Sequence, residues 1–163
     1  MCGICGIAYD DPSRPIDRAR LGAMNDALIH RGPDSGAEWI GRGAALAARR
    51  LSIRDVAHGQ QPMTSEDGRW VIAFNGEIYN FVELREDLKA KGYVFKSRCD
   101  TEVLVHLWRE KGVAMLDDLI GMFAFCLWDT KQNRGILARD RQGIKPCYLM
   151  DLPGGGFAFD SEI

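Results

Sequence analysis

Hydrophobic and polar residues form two kinds of pattern along this chain, one typical of strands and one typical of helices. Short apolar runs bounded by Gly, Pro, Asp or Ser indicate strands. The predicted strands are Cys2 to Tyr9, Ala37 to Ile40, Ala44 to Arg50, Trp70 to Asn75, Met122 to Trp128, Gly135 to Asp140, Cys147 to Met150 and Phe157 to Asp160. Most of the chain is therefore expected to build sheets.

The first predicted helix follows the turn cluster after Tyr9. Asp17 is suited to the N-cap position, and the helix is expected to reach about Ile29. Apolar residues three and four positions apart give this helix one apolar face, made of Leu21, Met24 and Leu28. That face is expected to cover one side of a sheet.

Two further helices are predicted in the middle of the chain. Asn80, with Glu83 three residues later, resembles a capping box that opens the second helix, and Gly92 is a natural stop. The third helix is expected to begin near Asp100 and to end at Gly112. Sheet segments interrupted by long helices predict an α+β layered domain.

Composition narrows the classes of function. The chain has 163 residues, enough for one domain, and 46% hydrophobic with 27% charged residues is ordinary for a globular protein. A net charge of -2 gives no support for nucleic-acid binding, and no apolar run approaches the ~18 residues of a membrane span. The start lacks the basic and apolar regions of a secretory signal, and five cysteines suggest reduced thiols. A cytoplasmic protein is expected, with a homo-oligomer left possible.

Cys2 is the first candidate for chemistry. A cysteine chosen at random is more often a small buried hydrophobe than a nucleophile. Position 2 differs, because removal of Met1 would leave a thiol and a free α-amino group on one residue. The amine, with an ordinary pKa of about 8, can serve as a base for the thiol near neutral pH. A chain-terminal cysteine nucleophile is therefore predicted.

Cys2 and Cys5 also form a CxxC pattern, which leaves a thiol redox or zinc-binding module as an alternative. A structural zinc site needs four ligands, and no second CxxC or HxxxH follows. A thioredoxin-like motif opens a helix, whereas this one lies in a predicted strand. Cys5 is therefore expected in the core, and no metal is expected. Metal content after purification would separate the alternatives.

Nine motifs resemble the class II glutamine amidotransferases, in the order and spacing of that family and over essentially the whole chain. They are CGICGIAYD at the start, HRGPDSG from His30, ARRLSIRD from Ala48, GQQPM from Gly59, FNGEIYNF from Phe74, CDTEVL from Cys99, GMFAFCLWD from Gly121, RDRQGIKPCY from Arg139 and FAFDSEI from Phe157. Within this superfamily the pattern is most similar to the amino-terminal domain of glutamine-hydrolysing asparagine synthetases. The resemblance implies a four-layer αββα sandwich of two antiparallel sheets, the N-terminal nucleophile hydrolase fold.

The resemblance also implies roles for individual residues. Cys2 matches the nucleophile, and Asn75 with Gly76 match the oxyanion hole, although Asn-Gly by itself is typical of a hairpin turn. The matching substrate contacts are Arg50 for the α-carboxylate, Asp100 and Glu77 for the α-ammonium, and Leu51, Ser52, Ile53 and Arg54 along the same loop. Arg31 and Asp34 are expected to support the pocket wall. The alternatives without a functional role are a solvent-exposed Arg50 and an Asp100 that only caps a helix.

The reaction implied by the resemblance is hydrolysis of L-glutamine to glutamate and ammonia, without a metal or organic cofactor. A synthetase domain or subunit, expected to be missing from this chain, would use ATP and Mg²⁺ to transfer the ammonia, with aspartate as the expected acceptor. Gly154 to Gly156 cannot replace its phosphate loop, since the following Lys and helix are lacking. Peptide, sugar or antibiotic amidation and a non-catalytic glutamine-binding domain remain the alternatives.

Overall fold

A computed structural model describes residues 2–51 and 59–163, and the strands within them form two antiparallel sheets. The strands are β1 (Gly3–Ala8), β2 (Ser35–Ile40), β3 (Ala44–Arg50), β4 (Met63–Thr64), β5 (Trp70–Ile78), β6 (Gly121–Asp129), β7 (Arg134–Arg139), β8 (Tyr148–Asp151) and β9 (Phe157–Asp160). Sheet A has the order β2-β3-β1-β9-β8, and sheet B has the order β4-β5-β6-β7. All predicted strands are confirmed, β3 and β9 with the predicted bounds and the others with shifted ends, and the two-residue β4 was missed.

The helices are α1 (Arg18–Ala27), α2 (Phe81–Ala90) and α3 (Asp100–Lys111), and a 3₁₀ helix, Gly112–Asp117, follows α3 directly. Asp17 caps α1 as predicted, because its carboxylate accepts a hydrogen bond from the Arg20 N–H at 3.0 Å. Gly92 and Gly112 follow the ends of α2 and α3 with φ of 92° and 57°, a conformation that favours glycine.

The helices and sheets are stacked in the order helix, sheet, sheet, helix. Three hydrophobic clusters lie between these four layers. The first cluster lies between α1 and sheet A and includes Leu21 and Leu28, as the apolar face of α1 predicts. The second joins the two sheets, with Ile4 of sheet A and Val71 of sheet B. The third lies between sheet B and the helices α2 and α3 and contains Phe125. The predicted four-layer αββα sandwich is therefore confirmed.

Two helix starts differ from the prediction. Asn80 makes no side-chain capping bond to α2. Its side chain instead donates to Asp118 O and accepts from Ile120 N, which fixes the segment before β6. The N-cap of α3 is Cys99, and Asp100 is the first helical residue. The capping box and the N-cap role of Asp100 are both wrong, since tertiary hydrogen bonds use these side chains.

Asn75 and Gly76 lie inside β5, not in a hairpin turn or at a strand end. They pair with Ala124 and Phe123 of β6. A Cβ atom on Gly76 would lie 2.3 Å from the carbonyl oxygen of Met122, so the neighbouring strand leaves no room for a side chain at this position. The Asn-Gly pair therefore marks a close approach of two strands.

The two cysteines of the CxxC pattern point to different places. Cys5 is fully buried between sheet A and α1. Cys2 lies just before β1 and is half-buried. Residues three apart in a strand face opposite sides, so the pair does not present two thiols to one ligand. All five cysteines are free thiols.

Candidate active site

One small cavity lies where the first residues before β1, the end of β3, the middle of β5 and the start of α3 meet. Its volume is about 170 Å³, below the roughly 300–1,000 Å³ typical of pockets for drug-sized ligands. The lining residues are Cys2, Arg50, Leu51, Gly59, Gln61, Phe74, Asn75, Gly76, Glu77, Cys99, Asp100, Thr101, Met122 and Lys145. The cavity therefore suits a ligand of amino-acid size.

Cys2 reaches the cavity because it precedes the β1–β3 ladder, whose register begins with Gly3 opposite Arg49. Its Sγ atom lies 3.9 Å from Leu51 O. Its backbone carbonyl accepts a hydrogen bond of 3.1 Å from Arg31 Nε. The thiol is thus placed at the cavity wall, while its main chain is held from behind.

Asn75 brings an amide group to the same cavity from the centre of β5. It is 1% exposed, and its Nδ2 atom is buried without a hydrogen-bond partner in the described part of the chain. Leaving a buried donor unpaired costs about 1–3 kcal/mol. Such a cost is typical of a group that is kept for a ligand. Gly76 and Glu77 follow on the same strand and line the cavity beside Asn75.

Arg50, the last residue of β3, brings a cation to the cavity and is buried. The turn after α1 packs tightly against it, because a Cβ atom on Gly32 would lie 2.4 Å from Arg50 N. The N–H of Asp34 also donates to Arg50 O at 3.2 Å. The HRGPD segment therefore fixes the backbone of Arg50.

Asp100 brings a buried carboxylate to the cavity from the first turn of α3. Its Oδ2 atom accepts a 3.0 Å hydrogen bond from Ile78 N, which ties the helix to β5. Gln61 makes a second tie, since its Oε1 accepts from Phe74 N at 2.6 Å and its Nε2 donates to Thr101 Oγ1 at 3.4 Å. The carboxylate is therefore fixed relative to Asn75.

Lys145 is a buried cation of the cavity that carried no predicted role. Asp140 shapes the loop in front of it by accepting from four backbone N–H groups, including those of Phe123 and Lys145. Burial by itself would raise the pKa of the Asp140 carboxyl, but these donors hold it below its ordinary value. Asp140 and Lys145 belong to the RDRQGIKPCY motif, which was the available signal.

The structure brings most of the predicted site together. The predicted residues that line the cavity are Cys2, Arg50, Leu51, Asn75, Gly76, Glu77 and Asp100. Ser52, Ile53 and Arg54 lie outside the described residues. Arg31 and Asp34 do not line the cavity, although both contact residues that do. Gln61 and Thr101 were missed as individual residues, but both belong to motifs visible in the sequence.

Two further features were sought in the described residues, a metal site and a membrane-spanning helix. Within residues 2–51 and 59–163, no group of three or more His, Cys, Asp or Glu side chains is arranged to hold a metal ion. In the same ranges, none of the helices is long and apolar enough to pass through a membrane.

Solved structures identify the fold. The glutamine phosphoribosylpyrophosphate amidotransferase from B. subtilis, solved with ADP and GMP, matches with a TM-score of 0.72 at 22% identity, over 98% of this chain and 42% of that chain. The allosteric regulatory enzyme of purine biosynthesis matches with a TM-score of 0.75 at 21% identity, over the same shares. The two-sheet sandwich is thus the N-terminal nucleophile hydrolase fold.

Sequence comparison gives the family. The glutamine amidotransferase domain family matches residues 1–163. Glutamine-hydrolysing asparagine synthetase 2 of Bacillus subtilis is 44% identical over 154 residues, which are 93% of this chain and 20% of the relative. Glutamine-hydrolysing asparagine synthetase 3 of Arabidopsis thaliana is 39% identical over 163 residues, 100% of this chain and 28% of the relative. The chain belongs to the glutamine amidotransferase domain family and spans about a fifth to a quarter of the length of these relatives.

Proposed function

We propose that this domain hydrolyses the side-chain amide of L-glutamine through a thioester on Cys2 and supplies ammonia for the amidation of an acceptor. The observation that carries the proposal is one cavity lined by a thiol, a buried guanidinium, a buried carboxylate and a buried amide that has no partner within residues 2–51 and 59–163. Glutamine needs all four, because it has an electrophilic amide at one end and a zwitterion at the other.

The charged side chains are assigned to the amino-acid end of glutamine. Arg50 binds the α-carboxylate, since a guanidinium fork matches a carboxylate with two parallel hydrogen bonds. Asp100 accepts the α-ammonium group, with Glu77 as a second acidic contact. Leu51, Ser52, Ile53 and Arg54 are assigned to the adjoining loop, and Arg31 and Asp34 to the support behind Cys2 and Arg50.

The first half of the reaction forms the thioester. The α-amino group of Cys2, freed by removal of Met1, takes the thiol proton, and the thiolate attacks the carboxamide carbon. The negative charge that develops on the amide oxygen is stabilised by the Asn75 Nδ2–H and the Gly76 N–H. The carbon–nitrogen bond then breaks, and the α-ammonium passes its proton to the departing ammonia.

The second half releases the product. A water molecule gives a proton to the same α-amino group and attacks the thioester carbonyl, and the oxyanion forms again beside Asn75 and Gly76. The carbon–sulfur bond breaks, and the proton returns to the Cys2 sulfur as glutamate leaves. One residue thus supplies both the nucleophile and the base, and the half-reaction needs no metal or organic cofactor.

The sequence relatives support a proposal for the acceptor of the ammonia. They are glutamine-hydrolysing asparagine synthetases, which favours aspartate as the acceptor. We assign the transfer, with its ATP and Mg²⁺, to a synthetase domain or subunit outside residues 1–163. The Gly154 to Gly156 turn is excluded as its phosphate site, because it is the tight connection between strands β8 and β9. A cytoplasmic location is part of the same proposal.

The experiment compares the protein with a free Cys2 and the same protein with a cleavable tag ahead of Met1. Glutamate release should be nearly absent in the tagged form, because an amide nitrogen has no basic lone pair. It should return when the tag is removed to leave Cys2 first, with intact mass spectrometry reporting the terminus.

Two cysteine variants serve as controls. Cys2→Ala should be inactive in either form, whereas Cys5→Ala should keep most of its turnover, since Cys5 is buried in the core away from the cavity. Equal activity of the tagged and free forms would contradict the role of the α-amino group.

A further inference from the structure

Two segments without a catalytic assignment meet behind the nucleophile. Arg31 follows helix α1 in the HRGPD motif, and Glu162 follows strand β9 in the last motif of the chain. Arg31 Nη1 donates to Glu162 Oε1 at 2.8 Å, and Arg31 Nε donates to Cys2 O at 3.1 Å. One guanidinium therefore connects a carboxylate to the main chain of Cys2.

The two charged side chains differ in burial, with Arg31 the more buried. The Arg31 side chain is 9% exposed, and that of Glu162 is 40% exposed. Within the described residues, Arg31 Nη2 is buried without a partner. The guanidinium therefore depends on its contacts with Glu162 and the Cys2 carbonyl. Removing the partner of a largely buried cation is costly, because the remaining charge cannot recover its hydration.

The charges around Arg31 point to Glu162 as its main anchor. The guanidinium and the His30 ring lower the pKa of the Glu162 carboxyl, so Glu162 is ionised at neutral pH. Asp160 is the second nearby carboxyl, and burial raises its pKa to about 6. Asp160 accepts from the Glu162 N–H at 3.1 Å, which fixes the turn that presents Glu162 to Arg31.

The position of Cys2 makes this contact matter for catalysis. Within the described ranges the ladder of β1 begins at Gly3, beyond Cys2, and the Cys2 carbonyl is held by Arg31. Rotation of this peptide unit would move both the thiol and the α-amino group. A displacement of about 1 Å at a reacting group can cost up to about 100-fold in rate.

We propose that Glu162 is a positioning residue for the Cys2 nucleophile, acting through the Arg31 guanidinium. This inference rests on the proposed glutaminase activity and extends it to a residue at the opposite end of the chain. Loss of the carboxylate charge lets the guanidinium turn away, and Cys2 then spends less time in the attacking orientation. Glutamine binding does not depend on this contact.

The test uses Glu162→Gln with free Cys2, and rates are expressed per folded molecule, with the folded fraction measured by circular dichroism, so that misfolded protein is not counted. We expect kcat to fall roughly 10-fold or more, with KM within about twofold of the original. Glu162→Asp, which keeps the charge on a shorter side chain, should have an intermediate kcat.

Asp26→Asn is the matched control. Asp26 is also an exposed partner of a largely buried arginine, Arg49, but within the described residues neither of these two side chains hydrogen-bonds to Cys2. Its kcat should stay unchanged. An unchanged kcat in Glu162→Gln, or an equal fall in Asp26→Asn, would overturn the inference. Absence of glutamate release by the unaltered protein with free Cys2 would instead contradict the proposed function.

Discussion

The candidate active-site cavity and a second, larger cavity on the other face of helix α3 differ in size and in chemistry. The second cavity has a volume of about 700 Å³, against about 170 Å³ for the first. Several of its charged groups pair with one another at the surface, as in Lys91 with Glu110 at 2.7 Å and Lys96 with Glu66 at 2.8 Å, although Glu102 in its wall is largely buried. In the smaller cavity, Arg50, Asn75 and Asp100 are all buried.

The convergence of a buried guanidinium, carboxylate and amide on one space, and not volume, distinguishes the smaller cavity. Exposed ion pairs contribute little to the free energy of unfolding, so replacing one of their residues changes stability little. Buried polar groups that converge on one space are costly to keep, and the amide of Asn75 has no partner in the described ranges. The smaller cavity is therefore the one whose residues should control turnover.

The largest effect is expected for Asn75→Ala. If the amide stabilises the oxyanion, kcat should fall roughly 10²- to 10³-fold with little change in KM. Initial rates of glutamate release over a range of glutamine concentrations measure both. A normal kcat with a raised KM would remove Asn75 from the oxyanion hole.

Asn25→Ala is the control for that variant. Asn25 is also buried, and its Oδ1 atom has no partner within the described residues, but it lies in α1 and does not line the candidate active-site cavity. It should change stability without changing kcat per folded molecule. Similar losses of kcat in both variants would mean that a buried unpartnered amide does not mark the site.

A smaller effect is expected for Arg50→Lys. The charge is retained but the planar fork is lost, so KM for glutamine should rise several-fold while kcat changes less. The same assay measures it, with a simple primary amide as the comparison substrate. Hydrolysis of that amide as fast as glutamine would contradict the assignment of Arg50 and Asp100 to the ends of the amino acid.

The smallest effect on turnover is expected in the wall of the larger cavity, where Glu102→Gln should reduce stability but not kcat. The Glu102 carboxylate accepts from Lys96 N at 2.8 Å and Ser97 N at 2.7 Å. Breaking such buried charged hydrogen bonds costs about 1–3 kcal/mol. Urea unfolding at pH 7 measures this loss, and Glu66→Gln, which removes an exposed ion pair, should show none.

The pH dependence sharpens this prediction. Burial would raise the pKa of Glu102, but His106 and the donors of Lys96 and Ser97 lower it to about 2. A carboxyl whose pKa is depressed by folding stabilises the protein above its ordinary pKa, and this contribution is lost as the pH falls toward 2. The stability difference between the original protein and Glu102→Gln should therefore shrink below about pH 4.5. A constant difference would contradict the assigned cause.

The pattern of hydrophobic residues predicted the strands, the helices and a layered α+β domain, because each element buries one face. The four-layer arrangement came from the family resemblance. The motifs also brought Cys2, Asn75, Arg50 and Asp100 to one site before any geometry was known. What could not be predicted is which partner each polar side chain takes. Asn80 bonds to the segment before β6 in place of its own helix, and this choice depends on residues about 40 positions away.

The role of Gly76 shows the same limit from another side. The motif drew attention to its N–H group. The structure adds a second reason for glycine, because a Cβ atom at this position would collide with the carbonyl oxygen of Met122 in the neighbouring strand. Lys145 was also passed over, since a lysine in a loop is usually exposed and this one is 4% exposed. Packing between distant segments decides such cases.

The pairing of β1 with β9 has a consequence for the order of events during synthesis. Ile4 and Ser161 exchange hydrogen bonds across 157 positions, so β1 is complete only when the last strand of the domain is present. At a ribosome speed of roughly 5–20 residues per second, about ten seconds or more separate the two segments. Throughout that interval β1 lacks one of its two neighbouring strands. The removal of Met1 that the proposed mechanism requires can therefore precede the closure of sheet A by β9.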